Sequence, residues 1–109
     1  MNIGDIYWLK QSNNIAHPQV VVNFDGDLIT LCSITSNQNK ASMPGNVVLD
    51  EGEGGLDKSS IVEVSKTIIV TIDELERYVG TLSDARIEEI MKGISFINNL
   101  LPNDRVQKS

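Results

Sequence analysis

The chain has 109 residues with 9 Lys+Arg against 15 Asp+Glu, a formal net charge of −6, and 40% hydrophobic residues. That length fits one folded domain, expected over residues 1–102 with a short flexible tail at 103–109. A single cysteine, Cys32, and a single histidine, His17, exclude an internal disulfide and a His-rich metal site, and the acidic balance argues against a general nucleic-acid binder. The apolar runs, such as Val20 to Val22 and Ile68 to Val70, are far too short to span a bilayer. The opening MNIGDIYWLK lacks a basic segment followed by an apolar one, so no signal peptide and a cytoplasmic location are expected.

Ile3 to Leu9 reads as a first strand, with Ile6, Trp8 and Lys10 on one face and Tyr7 and Leu9 on the other. Tyr7 and Trp8 read as core or dimer contacts. Residues 10–16 form a polar loop, and His17-Pro18 leads into a buried strand from Gln19 to Phe24. Asp25-Gly26-Asp27 signals a tight hairpin, and Leu28 to Thr35 is the returning strand. Ser36 to Gly45 is a second polar loop, followed by a strand from Asn46 to Leu49 and a flexible acidic connection from Asp50 to Gly55. Ser60 to Val64 and Thr67 to Val70 continue the sheet as two further strands. Thr71-Ile72-Asp73-Glu74 matches a capping box and predicts a short helix ending by Gly80. Ser83 caps a longer helix reaching about Leu101, where Pro102 stops it. Its apolar stripe is Ile87, Ile90, Met91, Ile94, Ile97 and Leu101, and Gly93 costs it about 1 kcal/mol relative to Ala. The expected fold is mainly β, a small barrel-like sheet capped by a C-terminal helix.

The chemistry-bearing positions sit in two segments without acids. No carboxylate occurs between Ile6 and Phe24, or between Leu28 and Leu49, although Lys10, His17 and Lys40 do. His17 is held extended by Pro18 at the mouth of a strand, and imidazole is the best general acid or base this chain owns. Thr35, Ser36 and Asn37 offer hydroxyl and amide groups suited to a phosphate or a base edge. Asp50, Glu51, Glu53 and Asp57 read as a solvated acidic loop rather than a metal site, and Cys32 as a buried hydrophobe. No metal and no cofactor are expected.

Several segments in register resemble the MazF/PemK (Kid-like) family of toxin endoribonucleases. They are Gly4-Asp5-Ile6-Tyr7-Trp8, His17-Pro18-Gln19-Val20-Val21-Val22, Ile34-Thr35-Ser36, Asn46-Val47-Val48-Leu49 with Gly55 to Val62, and Gly80-Thr81-Leu82-Ser83. The resemblance implies an SH3-like (PemK/MazF/CcdB-type) barrel, a homodimer, and an antitoxin partner that blocks the RNA groove. It also implies metal-independent, sequence-specific cleavage of single-stranded RNA by attack of the ribose 2′-hydroxyl. The family's Thr falls on Thr35, whereas its Arg before Pro falls on His17, as in a His-Pro variant subgroup. The acid used by some members in the late strand falls near Ser65, which cannot act as a carboxylate base, and Lys66 beside it can contact phosphate. On this resemblance His17 is the general acid or base and Thr35 the phosphate ligand. Lys10, Gln11, Ser12, Asn13, Asn14, Ser36, Asn37, Gln38 and Lys40 line the RNA path. The alternative is a non-enzymatic or degenerate member that binds antitoxin or RNA, or that poisons gyrase.

Overall fold

The computed structural model describes residues 1–10 and 17–100. The strands are β1 (Asp5–Leu9), β2 (Gln19–Asp25), β3 (Leu28–Thr35), β4 (Val47–Leu49), β5 (Ser60–Thr71) and β6 (Leu75–Thr81), followed by helix α1 (Asp84–Asn99). They form one sheet in the order β4-β5-β3-β2-β1-β6, antiparallel at every pairing. The fold class expected from the sequence, mainly β with a C-terminal helix, is therefore the one observed.

The strands are apolar on both faces because both faces are covered. Ile6, Val20, Val22, Cys32, Ile34, Leu49 and Val62 point inward to a core that Ile90 of α1 completes, with Ile87, Met91, Ile94 and Ile97 packed at its margin. Val21, Ile29, Leu31 and Val70 point the other way, into a second cluster covered by Tyr7, Leu9 and Leu75. The alternation read in β1 is thus realised, with Ile6 in one cluster and Tyr7 and Leu9 in the other. The β2–β3 hairpin turns at Gly26-Asp27, where Gly26 takes φ +60 and Asp25 pairs with Leu28. Cys32 is fully buried, and desolvation pushes its thiol up to about 11. Ser83 caps α1 by accepting from the Arg86 N–H at 3.3 Å; Leu101, Pro102 and the expected tail lie outside the described residues.

Three expectations are corrected. The capping box at Thr71 forms, with Glu74 Oε2 accepting from the Thr71 N–H at 2.9 Å, but it opens only a single 3-10 turn, Ile72–Glu74. Residues Leu75–Thr81 are strand β6 instead of helix, because pairing with β1 sets Leu75 against Leu9 and Gly80 against Ile6. Tertiary pairing outweighs a local cap worth about 1 kcal/mol. The two strands expected at 60–64 and 67–70 are one strand, β5, broken only in register: Ser33 pairs with Glu63 while Cys32 pairs with Thr67. Residues 64–66 are therefore a bulge. The acidic connection at 50–55 is not a free tether. Arg86 of α1 donates to both Glu53 oxygens, at 2.9 and 2.8 Å, and to Glu89 at 2.9 Å, while Glu53 accepts from the Asp50 N–H at 2.6 Å.

Glycines close the barrel. A Cβ on Gly80 would lie 2.3 Å from the Gly54 carbonyl oxygen, and one on Gly55 would lie 2.4 Å from that of Val79. The loop after β4 therefore lies directly on β6, and the two ends of the sheet meet. Gly93 in α1 serves a similar purpose, since a Cβ there would be 2.1 Å from the Gly45 oxygen.

Two outcomes follow. Gly93→Ala raises helix propensity by about 1 kcal/mol yet is expected to destabilise the protein by about 1–3 kcal/mol, because two backbones must part; a urea midpoint at or above wild type would contradict this. Hydrogen bonding from Arg86 holds the Glu53 carboxyl below the ordinary carboxylate range, helped by the Asp50 N–H. A lowered folded pKa gives stability that is present above the unfolded value of about 4.3 and is lost as pH falls through the folded one. Urea midpoints measured from pH 7 to pH 3 are expected to fall less steeply for Arg86→Met than for wild type.

Candidate active site

The β2–β3 register builds the site. Gln19 pairs with Ser33, and the Ile34 N–H donates to the Pro18 carbonyl at 2.9 Å, so continuing the ladder by two residues sets His17 opposite Thr35. On the other side of β3, Thr35 pairs with Ile61 and Ser33 with Glu63. Gln19 of β2, Thr35 and Ser33 of β3, and Glu63 of β5 thus fall in two adjacent rows on one face of the sheet, with His17 just before β2. His17 is half-buried, whereas Gln19, Ser33, Thr35 and Glu63 are only 9%, 9%, 8% and 4% exposed. A row of buried polar side chains in a sheet otherwise filled with Val, Ile and Leu asks for partners. Gln19 Oε1 has none among the described residues.

Thr35 is oriented by its own loop. Its Oγ1 accepts from the Asn37 N–H at 3.2 Å, which leaves the hydroxyl proton to be donated elsewhere. Asn37 Oδ1 caps the 3-10 turn Gln38–Ser42 by accepting from the Asn39 N–H at 3.0 Å. Gln38 Nε2 donates to the Ser59 carbonyl at 3.0 Å, tying the loop to the start of β5. Asn46 joins loop and bulge: its Nδ2 donates to the Lys40 carbonyl at 3.0 Å, and its Oδ1 accepts from the Val64 N–H at 3.1 Å. Ser36, Asn37 and Gln38 are exposed beside Thr35, and Lys40 is half-buried.

Glu63 is the site residue that sequence reasoning missed. The resemblance puts the late-strand acid near Ser65, which is exposed in the bulge; the carboxylate lies two residues earlier, on the row of Ser33. Lys66 Nζ stands 3.5 Å from Glu63 Oε1, with the lysine side chain 61% exposed and the glutamate 6%. Residues three apart in a regular strand point to opposite faces; the bulge is what turns Lys66 back over Glu63. A buried acid one row from the candidate threonine is a signal that becomes visible only once the pairing of β3 with β5 is known.

The remaining expected RNA contacts divide. Gln11, Ser12, Asn13 and Asn14 lie outside the described residues. Lys10 is not brought to the site. Its N–H donates to the Glu74 carbonyl at 3.0 Å, and the same turn takes an Ile72 N–H to Asp27 bond, at the opposite end of β2 from His17. Its charge instead helps hold the Asp73 carboxyl below the ordinary range, after the hydrogen bond from Thr71. Trp8 lies under the Arg77 guanidinium, 5.8 Å from the ring centroid, and Tyr7 stacks at 60° on Tyr78. Among the described residues no group of three or more His, Cys, Asp or Glu side chains is placed to hold a metal, and no helix is long and apolar enough to cross a membrane.

Known proteins match this chain by family and by fold. No curated protein matches the sequence. An endoribonuclease solved in complex with its cognate antitoxin, from a mycobacterial species, superposes with a TM-score of 0.74 at 17% identity, covering 89% of this chain and 93% of its own. The Mycobacterium tuberculosis toxin MazF-mt6 gives a TM-score of 0.73 at 18% identity, covering 87% of this chain and 96% of its own. At such identities the likeness is one of fold. The sequence profile of the PemK-like, MazF-like toxins matches residues 2–97. With that match over most of its length, and a six-stranded sheet closed by a C-terminal helix, the chain belongs to the PemK-like, MazF-like toxins of type II toxin–antitoxin systems.

Proposed function

We propose that this toxin is an endoribonuclease that cuts single-stranded RNA at particular sequences without a metal ion. The observation that carries this reading is the Ile34 N–H to Pro18 carbonyl bond, which continues the β2–β3 ladder towards His17 and Thr35 at the open end of the two strands. The ribose 2′-hydroxyl attacks the adjacent phosphorus, the 5′-oxygen leaves, and the products are a 2′,3′-cyclic phosphate and a 5′-hydroxyl. Thr35, whose oxygen is already engaged by the Asn37 N–H, donates its proton to a phosphoryl oxygen as charge builds. His17 moves a proton at one of the two ribose oxygens. Histidine lacks the bidentate fork of the arginine that the family resemblance puts at this place, so the phosphate relies on Thr35, Lys66 and the exposed amides of Asn37 and Gln38.

The protein acts in the cytoplasm, is silenced by a cognate antitoxin that covers this groove, and works as a homodimer. The mycobacterial relative solved with its antitoxin supports the first partner. Exposed apolar side chains support the second: Leu28 and Ile69 share one face where the β2–β3 hairpin meets the end of β5, since Leu28 pairs with Thr71, two residues beyond Ile69. Large apolar side chains grouped in this way mark an interface.

Purified protein is expected to cut an unstructured RNA in the presence of EDTA and to leave 5′-hydroxyl ends. His17→Ala should slow cutting by about 10²–10⁴-fold. A His17→Ala protein that cuts as fast as wild type would overturn the assignment, as would induced cells with intact mRNA and broken DNA. Sedimentation equilibrium should return twice the chain mass. Ile69→Asp combined with Leu28→Asp should shift it to the monomer mass, and an unchanged dimer would place the interface elsewhere.

A further inference from the structure

We propose that Glu63 is the proton acceptor for the attacking 2′-hydroxyl, uncovered when Lys66 leaves it for the RNA phosphate. The proposal rests on the endoribonuclease reading above.

The buried carboxylates of this protein differ in how they are satisfied. Asp5 accepts from Thr81 Oγ1 at 2.6 Å and from the Asn2 N–H at 2.9 Å. Glu53, partly buried, receives both arms of Arg86. Glu63 is as deeply buried as Asp5, yet its one partner among the described residues is the Lys66 ammonium at 3.5 Å, beyond good hydrogen-bond length. An ion pair with a lysine this exposed returns little stability, so an apolar side chain would serve the sheet better at this position. The neighbouring orphan, Gln19 Oε1, repeats the pattern on the other side of Ser33. Two long side chains with acceptor oxygens thus flank a small serine, beside Thr35, and of these oxygens only Glu63 Oε1 has a partner among the described residues, the Lys66 ammonium.

The rows give the reach. Glu63 is diagonal to Thr35 across the β3–β5 ladder, a spacing of about 7–8 Å between such neighbours. His17 stands on the far side of Thr35. A phosphate held by Thr35 is therefore flanked by a carboxylate and an imidazole. The bulge leaves Lys66 long, exposed and attached at one place only, so a phosphate can draw the ammonium away. The step balances: the O2′–H proton passes to Glu63, the O2′–P bond forms, and the P–O5′ bond breaks. The departing O5′ takes a proton from the His17 imidazolium, and solvent water then returns Glu63 and His17 to their starting states.

The experiment compares wild type, E63Q, E63D and H17A in EDTA on a single-stranded RNA oligonucleotide carrying the mapped cut site. A second substrate carries a bridging sulfur in place of O5′, a leaving group that needs no proton. E63Q should lower kcat by about 10²–10⁴-fold with KM within a few-fold, and E63D should recover part of the loss. The sulfur substrate should restore H17A and leave E63Q slow. E63Q cutting at the wild-type rate, or sulfur restoring both variants alike, overturns the Glu63 assignment. If thermal melting shows that E63Q does not fold, E63D decides: it should be at least tenfold slow on both substrates, and recovery on sulfur overturns the proposal. A wild-type chain that cuts no RNA overturns the endoribonuclease reading and this proposal together. Loss confined to H17A overturns this proposal alone.

Discussion

The bulge at residues 64–66 is the constraint on which the site and the helix both depend. It breaks the β3–β5 register between Cys32 and Ser33 and frees the Val64 N–H from the ladder. Asn46 accepts that N–H and, through its other amide atom, holds the Lys40 carbonyl, so one side chain fixes the bulge and the loop after Thr35 together. Next to it, Gly45 meets Gly93 backbone to backbone, which allows α1 to settle over the same spot. The helix, the Thr35 loop and the turn of Lys66 over Glu63 all follow from three residues that pair with nothing across the sheet.

Much of the fold was legible because its signals were local and agreed with one another. β2 and β3 carry continuous apolar runs around a two-residue turn with glycine in the left-handed region, and β3 is observed with the expected bounds. The helix was legible from Ser83 and a stripe of Ile and Met residues that does face the core. The misread segment, Leu75–Thr81, had a true cap in front of it; what the cap could not reveal was that β1 had an unpaired edge to be filled. β5 looked like two strands because Ser65 and Lys66 interrupt its apolar run, which is how a bulge appears in one dimension. Gly93 read as a helix defect because its contact lies with Gly45, almost fifty residues away in the chain.

The candidate site was half legible. His17 and Thr35 stand out by residue type and by their neighbours, and a hairpin between them makes their meeting a matter of counting along two strands. Glu63 sits in an ordinary-looking stretch, Ile61-Val62-Glu63-Val64, where an acid reads as a solvent-facing residue of an alternating strand. The long-range pairing of β3 with β5 turns it inward. The charge reading changes accordingly. The two acid-free segments are joined through the β2–β3 ladder at Gln19 and Ser33, but a third strand sets a carboxylate beside them, paired with Lys66. Elsewhere acids serve the fold: Glu53, Glu89 and Asp50 gather around Arg86, so part of the net charge of −6 is structural.

The glycine contacts at Gly54, Gly55 and Gly80 also bear on how the protein behaves when it accumulates. A curved sheet of six strands has two outer edges, and exposed edges invite other chains to add on. Here one edge strand, β4, is only three residues long, and the other, β6, is overlaid at Val79 and Gly80 by the loop that follows β4. Each edge is thereby blunted by the other. A side chain at Gly80 would lift the loop, expose the β6 backbone and leave a template for stacking, so those glycines guard solubility as much as they close the barrel.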